Sequence, residues 1–377
     1  MLQWATSEKM PELFSGGPLA PLRASEPHLL VTDRALRWFL ESGIQAPHGG
    51  VSRYFCVDTR QMRATSTEIT GYAAATLVFL HQLTGDSRAL DAAIRAGRFL
   101  TRAAWNPAIA IIPFELDPAA SPPAYFFDAG IIARGLFALW RSTGDAEFRD
   151  IAVACARSMS RDFRGPSGYH PVLTLPEKLP LPGDGRWSRE PGCYQLKASM
   201  VWLETGDEEL ISLYEAALAG FLSTHSSFLD AEPDTDRLMD RLHAYCYFLE
   251  GLLPRAARPD CAAVLRDGIL RVRRLLEEIG PRFERSDVCA QLLRLRLYAS
   301  ALGAAPLDTP AAEDEAARIL AFQYRQPGLD GAFCFGRRGS QWTPFANPVS
   351  TAFCVQSLEM WRQFRNGEFR PDPREIL

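Results

Sequence analysis

The sequence has no run approaching the about 20 consecutive apolar residues that a membrane-spanning helix needs. Its opening, MLQWATSEKMPELF, has neither the basic start nor the apolar stretch of a secretory leader. These absences lead us to expect a soluble, cytoplasmic protein without a membrane span. Charge of one sign is not in excess either: the formal net charge is −4 over 377 residues. That excludes a polyanion-binding surface over the whole molecule and gives no reason to expect a nucleic-acid partner. The eight cysteines are scattered, with no C-x-x-C pair and no Cys/His spacing of a zinc site, so we expect reduced, buried thiols and no metal. Also missing are a glycine-rich phosphate loop, a dinucleotide fingerprint and a serine between glycines at nucleophile-elbow spacing, so no cofactor is expected. Asp234-Thr-Asp236 falls short of the acidic cluster a terpene cyclase needs.

What is present is a repeat. Phe126 to Asp145, FFDAGIIARGLFALWRSTGD, has a polar start, a helix of aliphatic and small residues, and a Gly-Asp stop. The same shape occurs at Thr67 to Asp86 and in CYQLKASMVWLETGD, which ends at Asp207. Gly85, Gly144 and Gly206 suit the left-handed conformation that ends a helix, and Asp86, Asp145 and Asp207 suit the cap of the next one. Each copy therefore reads as a tight helical hairpin, recurring about every 60 residues, a period that signals a repeat architecture. Hydrophobic periodicity marks helices at about 28–43, 66–83, 87–104, 126–142, 146–162, 190–204, 208–223, 238–253, 259–279, 286–302, 311–325 and 349–365. Residues 1–26 read as an irregular segment and 27–377 as one domain.

Twelve alternating helices suggest six hairpins in a ring, the more apolar helix of each pair inside. The inner set is then 66–83, 126–142, 190–204, 238–253, 286–302 and 349–365. All inner helices would run parallel, so that their positive N-terminal ends open on one face and favour an acidic or polyhydroxylated ligand. That geometry gathers Glu68, Asp128, Glu190, Tyr194, Gln195, His243, Gln291, Asn347 and Ser350 around one mouth. The long connections 105–125, 163–189 and 326–347 would surround it.

Glu68-Ile-Thr-Gly-Tyr72, Phe127-Asp-Ala-Gly130, His243-x3-Tyr247-x2-Glu250, Gln291 and the tail segments GAFCFGRR and NPVSTAFCVQSLEMW carry a resemblance. The chain resembles the all-α (α/α)6 toroid of the six-hairpin glycosidase superfamily, and more narrowly a group encoded beside bacterial polysaccharide-biosynthesis enzymes. The resemblance implies an oligosaccharide or polysaccharide as partner, together with polysaccharide-assembly enzymes. It leaves the reaction open, because ring folds of this kind host several chemistries.

Three readings follow. In the first, Glu68 and Asp128 are the paired carboxylates of a glycoside hydrolase, one protonating the leaving oxygen and the other serving water or the sugar carbon. Against this stands a capping role: Thr65-x-x-Glu68 has capping-box spacing, and Asp128 suits a helix cap. In the second, His243 or a tyrosine is the base of a uronate lyase or C5-epimerase, and Arg294 neutralises the sugar carboxylate. His243, Tyr247 and Glu250 share one helix face, as do Gln291 and Arg294. The alternative is a buried hydrogen-bond network, with Arg294 paired to Glu250. In the third, the ring binds glycan or scaffolds an assembly complex without catalysis. Tyr72, Tyr194, Gln195, Tyr247, Glu250, Gln291, Arg294, Arg337, Trp342 and Asn347 are the expected substrate-binding residues. The loop aromatics among them suit stacking on sugar faces. Asn347 should also cap the last helix, whose Phe353, Val355, Leu358 and Trp361 should close the ring.

Overall fold

Three residues build each of the first hairpin turns. In Leu-Thr-Gly-Asp at 83–86, Gly85 takes φ +70° and returns its N–H to the His81 carbonyl, ending the helix. The Thr84 hydroxyl accepts from the Asp86 N–H at 3.2 Å, and the Asp86 carboxylate accepts from the Arg88 N–H at 2.9 Å, starting the next helix. Thr143-Gly144-Asp145 and Thr205-Gly206-Asp207 repeat this arrangement, with both glycines at φ +72°.

The computed structural model describes residues 28–116, 122–166, 168–230 and 232–377; the irregular segment expected at 1–26 lies outside them. Among the described residues twelve helices follow in order: α1 (His28–Glu41), α2 (Thr67–Thr84), α3 (Ser87–Arg98), α4 (Phe126–Thr143), α5 (Ala146–Asp162), α6 (Gln195–Ser199, resuming at Val201–Glu204), α7 (Glu208–Thr224), α8 (Thr235–Leu252), α9 (Pro259–Ile279), α10 (Ser286–Ala301), α11 (Thr309–Leu320) and α12 (Pro348–Arg365). The expected helix 87–104 changes register at Phe99, where a π-turn runs to Ala104. The expected start at 190 moves to Gln195, because Glu190, the residue before Pro191, is held extended at φ −106° and ψ 142°. The eighth helix begins three residues early, since Asp234 accepts from both the Asp236 and Arg237 N–H groups.

Packing runs α2 on α4, α4 on α6, α6 on α8, α8 on α10, α10 on α12 and α12 back on α2. The inner ring therefore closes. Every helix contributes to one continuous apolar core. Small residues set the closest approach: the Gly135 position would place a Cβ 2.4 Å from the Gly71 carbonyl oxygen, so α2 and α4 touch backbone to backbone.

Short strands bridge the inner-helix N-terminal ends into a rim. Thr65–Ser66 pairs antiparallel with Val51–Ser52, and Thr67 donates to the Pro113 carbonyl of the α3–α4 connection at 2.7 Å. Ala124–Tyr125 pairs with Val172–Leu173, which ties α4 to the connection entering α6. Arg241 donates to the Phe228 carbonyl at 3.0 Å, joining α8 to the connection after α7. Phe283–Arg285 pairs with Gly336–Arg338, and Phe345–Ala346 pairs with Phe55–Cys56, carrying the rim across α10 and α12 back to α2.

At the opposite end the chain folds under the ring. Tyr298 donates to the Asp372 carbonyl, Arg134 to the Pro373 carbonyl and Lys197 to the Leu377 carbonyl, each at 2.9 Å. Residues 372–377 thus plug the base, and Ile376 and Leu377 are buried. All eight cysteines are buried and unpaired. No described helix is long and apolar enough to cross a membrane.

Candidate active site

Neither acidic residue of the mouth serves as the cap of its helix. The cap of α2 is Ser66, whose hydroxyl accepts from the Ile69 N–H, so the Thr65–Glu68 capping box does not form. The cap position of α4 is Tyr125, which makes no side-chain capping bond, and Asp128 lies within the first turn. Both carboxyl groups are buried. Burial pushes the Asp128 carboxyl up to about 7, Glu68 adds to the rise, and Arg53 opposes it. Arg53 comes from the strand region before α2, lies over the Phe114 ring at 4.3 Å and is ion-paired with Glu115. Its guanidinium is pulled below the ordinary value by burial, against the pull of Asp128 and Glu68.

Across the mouth stands His243. Its Nδ1 lies 2.7 Å from the Gln291 Oε1. An amide oxygen only accepts, so Nδ1 carries the hydrogen and Nε2 is left unprotonated. Burial, followed by the charge of Arg285, pushes the imidazole down to about 4. Asp287 Oδ2 stands 3.9 Å from the same ring nitrogen. Arg285 is locked between Asp287 at 2.7 Å and Asp240 at 2.5 Å, and its charge holds the Asp287 carboxyl below its ordinary range despite burial. Trp187 meets Tyr194 edge-on, with ring centroids 5.0 Å apart, and stands edge-on to His243 at 6.3 Å.

One helical turn below, the lumen is filled. Tyr72 of α2 donates to the Tyr247 hydroxyl of α8, on the opposite wall, at 3.1 Å. Phe127 and Phe353 pack against this pair, with ring centroids 4.7 Å from Tyr247 and 5.3 Å from Tyr72 respectively. Burial holds both phenols well above their ordinary values.

A charged layer lies beneath. Glu250 is paired with Arg294 at 2.6 Å and with Lys197 at 3.0 Å, all three side chains fully buried. Arg294 also donates to Gln356 at 2.9 Å, and burial drives the Lys197 ammonium well below its ordinary range. For Glu250 and Arg294 two readings stood open, contact with substrate and a mutual ion pair; the structure pairs them with each other below the tyrosines. The i, i+7 spacing that placed Glu250 on the face of His243 also carries it two turns deeper.

The remaining expected contacts are partly structural. Gln195 bonds the Gly192 N–H and the Tyr169 carbonyl at the start of α6. Asn347 caps α12, accepting from the Val349 and Ser350 N–H groups at 2.8 and 3.0 Å. Arg337 is ion-paired with Glu284 at 2.8 Å, and Trp342 stands edge-on to Phe322. Glu190 turns to the Gly185 N–H at 3.1 Å. The mouth therefore gathers Glu68, Asp128, Tyr194, His243 and Gln291, above a floor of Tyr72 and Tyr247. Sequence reasoning missed Arg53, Arg285 and Asp287. The signal for Asp287 was available, since it sits in the first turn of an inner helix as Glu68 and Asp128 do. Among the described residues no group of three or more His, Cys, Asp or Glu is placed to hold a metal ion.

Among the described residues six inner helices pack in a closed circuit, five of them leading directly into an outer helix and the sixth, α12, backed by α1 from the other end of the chain, and this decides the fold. The chain is an (α/α)6 toroid. Solved toroids of similar fold include the cellobiose 2-epimerase of Spirochaeta thermophila, at 16% identity and a TM-score of 0.65, over 88% of this chain and 95% of that one. A D-mannose isomerase matches at 9% identity and a TM-score of 0.64, over 90% and 99%. An alpha-amylase from Clostridium perfringens matches at 11% identity and a TM-score of 0.60, over 89% and 99%. At these identities the likeness of the toroids concerns the fold. No family model and no curated protein matches the sequence.

Proposed function

We propose that this chain is a carbohydrate-active enzyme that hydrolyses a glycosidic bond at the toroid mouth. One observation carries the reading: a buried carboxyl at Asp128, raised to about 7, next to a second buried carboxyl at Glu68. A carboxyl raised toward neutrality beside a second carboxyl is what general acid catalysis at neutral pH requires. Asp128 gives its proton to the leaving glycosidic oxygen as the anomeric C–O bond breaks. Water supplies the oxygen that replaces it. The proton water loses goes to Glu68, or to Asp128 when Glu68 has first formed a glycosyl ester. Trp187 and Tyr194 offer aromatic faces for the sugar.

A second reading rests on His243, whose imidazole is held neutral with Nδ1 fixed by Gln291. Such a base suits removal of a carbon-bound proton in epimerisation or isomerisation, and two of the similar toroids are named as an epimerase and an isomerase. Arg294 has no place in this version, since Glu250 and Gln356 occupy it.

Reducing-end release from a panel of neutral and acidic oligosaccharides tests the first reading. Asp128→Asn and Glu68→Gln are each expected to lower kcat by about 10²- to 10⁴-fold. Full activity in the double variant sinks the assignment. Exchange of a sugar hydrogen with deuterated water that survives both substitutions and is lost in His243→Ala moves the site to the second reading. Binding without any turnover would make the toroid a glycan-binding module.

A further inference from the structure

We infer that the base of the toroid holds a binding site for a free α-amino acid with a short aliphatic side chain, at the end of the lumen opposite the mouth. The site is independent of the reaction proposed above and uses none of the residues assigned to it.

The strap of residues 372–377 is tied to the ring unevenly. Four inner helices hold it by hydrogen bonds: α10 through Tyr298, α4 through Arg134, α6 through Lys197, and α12 through Gln356. Gln356 donates to the Glu375 carbonyl at 2.8 Å and accepts from the Leu377 N–H at 3.2 Å. Among the described residues α2 makes no hydrogen bond to the strap. On that side a cavity of about 60 Å³ lies between the strap, α2 and α4. Small residues create it, since Gly71 and Ala75 on α2 and Gly135 and Ala138 on α4 all line the space. Phe79, Ile376 and Leu377 add to an apolar wall.

Size and charge together select the occupant. The volume is less than half of the about 150 Å³ that encloses benzene, so an aromatic ring is too large. A short branched group such as the isopropyl of valine suits it. The polar lining residues Gln82, Arg141 and Glu375 are exposed and therefore stand at the opening. Arg134 and Arg141 share the one carboxylate of Glu204, at 3.0 and 2.5 Å, which leaves positive charge on the α4 side. Only Nη1 of Arg141 is engaged there, and its other nitrogens have no partner among the described residues. On the strap side the Glu375 carboxylate makes no ion pair among the described residues, although Arg141 and Arg374 act on it electrostatically. The opening thus offers an unfilled donor fork and an unpaired carboxylate above an apolar wall. An organic acid would leave Glu375 without a partner, and an amine would leave Arg141 without one. An α-amino acid satisfies both, its carboxylate on Arg141 and its ammonium on Glu375, with the side chain in the cavity.

The test uses the full-length protein and five probes: L-valine, L-threonine as its hydroxylated isostere, L-phenylalanine as the larger side chain, and 3-methylbutanoate and isobutylamine as valine without its amine or its carboxylate. Calorimetry and ligand-observed magnetic resonance read binding. L-valine is expected to bind at least about tenfold tighter than each of the other four. Ala138→Leu fills the cavity and should abolish valine binding. Glu375→Gln, at an exposed position without an ion pair, should fold as the parent does. It should weaken valine and isobutylamine about tenfold or more while leaving 3-methylbutanoate unchanged. No binding of valine to the parent, or valine binding that survives Glu375→Gln undiminished, overturns the site. Equal binding of phenylalanine, threonine or either half-ligand overturns the ligand class assigned to it.

Discussion

Asp128 carries opposite demands. As a proton donor it must hold its proton near neutrality, and burial next to Glu68 does this at the expense of stability. An unfolded chain exposes the residue at its ordinary value of 3.8, so between that value and about 7 the folded protein binds more protons than the unfolded one. Stability from this group is complete below 3.8 and is lost as pH rises through about 7. An Asn at the position cannot ionise and avoids the loss. Thermal unfolding of Asp128→Asn against the parent should therefore show a stability advantage that grows from pH 5 to pH 8, with activity lost throughout. A constant difference across that range would mean the carboxyl is ionised in the fold. The same proton explains an expected fall in the parent's turnover above pH 7, since the donor form disappears there.

Among the helices, the pair α2 and α4 brings the two carboxyl groups together, and it does so through missing side chains. The Gly71 and Gly135 backbones touch, and a methyl group at 135 would sit 2.4 Å from a carbonyl oxygen that cannot swing aside. Gly135→Ala should push the helices apart, lowering stability by about 1–3 kcal/mol and lowering kcat by more than that loss of folded protein explains. Denaturant titration and kinetics on the same preparation separate the two. The glycines were visible in the sequence, but their role was not, because a close approach between helices leaves no period of its own. Helix identity was far more legible. The Thr-Gly-Asp turns announced the hairpins, and apolar richness sorted inner from outer helices correctly, since an inner helix is surrounded by protein and an outer one keeps a solvent face. Depth along the lumen was not legible. Glu250 and Arg294 share helix faces with His243 and Gln291, and only the tyrosine floor between the layers tells that one pair meets the mouth and the other is sealed beneath it.

For the whole molecule, closure is what the last helix supplies. α12 packs on α10 and on α2, with Phe353, Val355, Leu358 and Trp361 all buried as expected. Burying a residue such as Trp361 contributes about 3–5 kcal/mol by the measure of large-to-small core substitutions. Removing residues 348–377 strips a wall, a floor aromatic and the base plug together. The truncated chain should be insoluble or molten by near-ultraviolet circular dichroism; a soluble product that melts cooperatively near the full-length temperature would contradict the closed ring.

The circuit also sets a timetable. Gln323 donates to the Val31 carbonyl and Arg34 is ion-paired with Asp330, contacts that join positions nearly 300 residues apart. At the roughly 5–20 residues per second of a translating ribosome, the flank of α2 that α12 will cover waits on the order of a quarter of a minute to a minute for its partner to be made. Until then the nascent chain is an arc with an apolar edge at each end, and two such arcs present complementary edges to each other. Crowded polysomes are the place where this protein is most exposed to pairing with the wrong copy of itself.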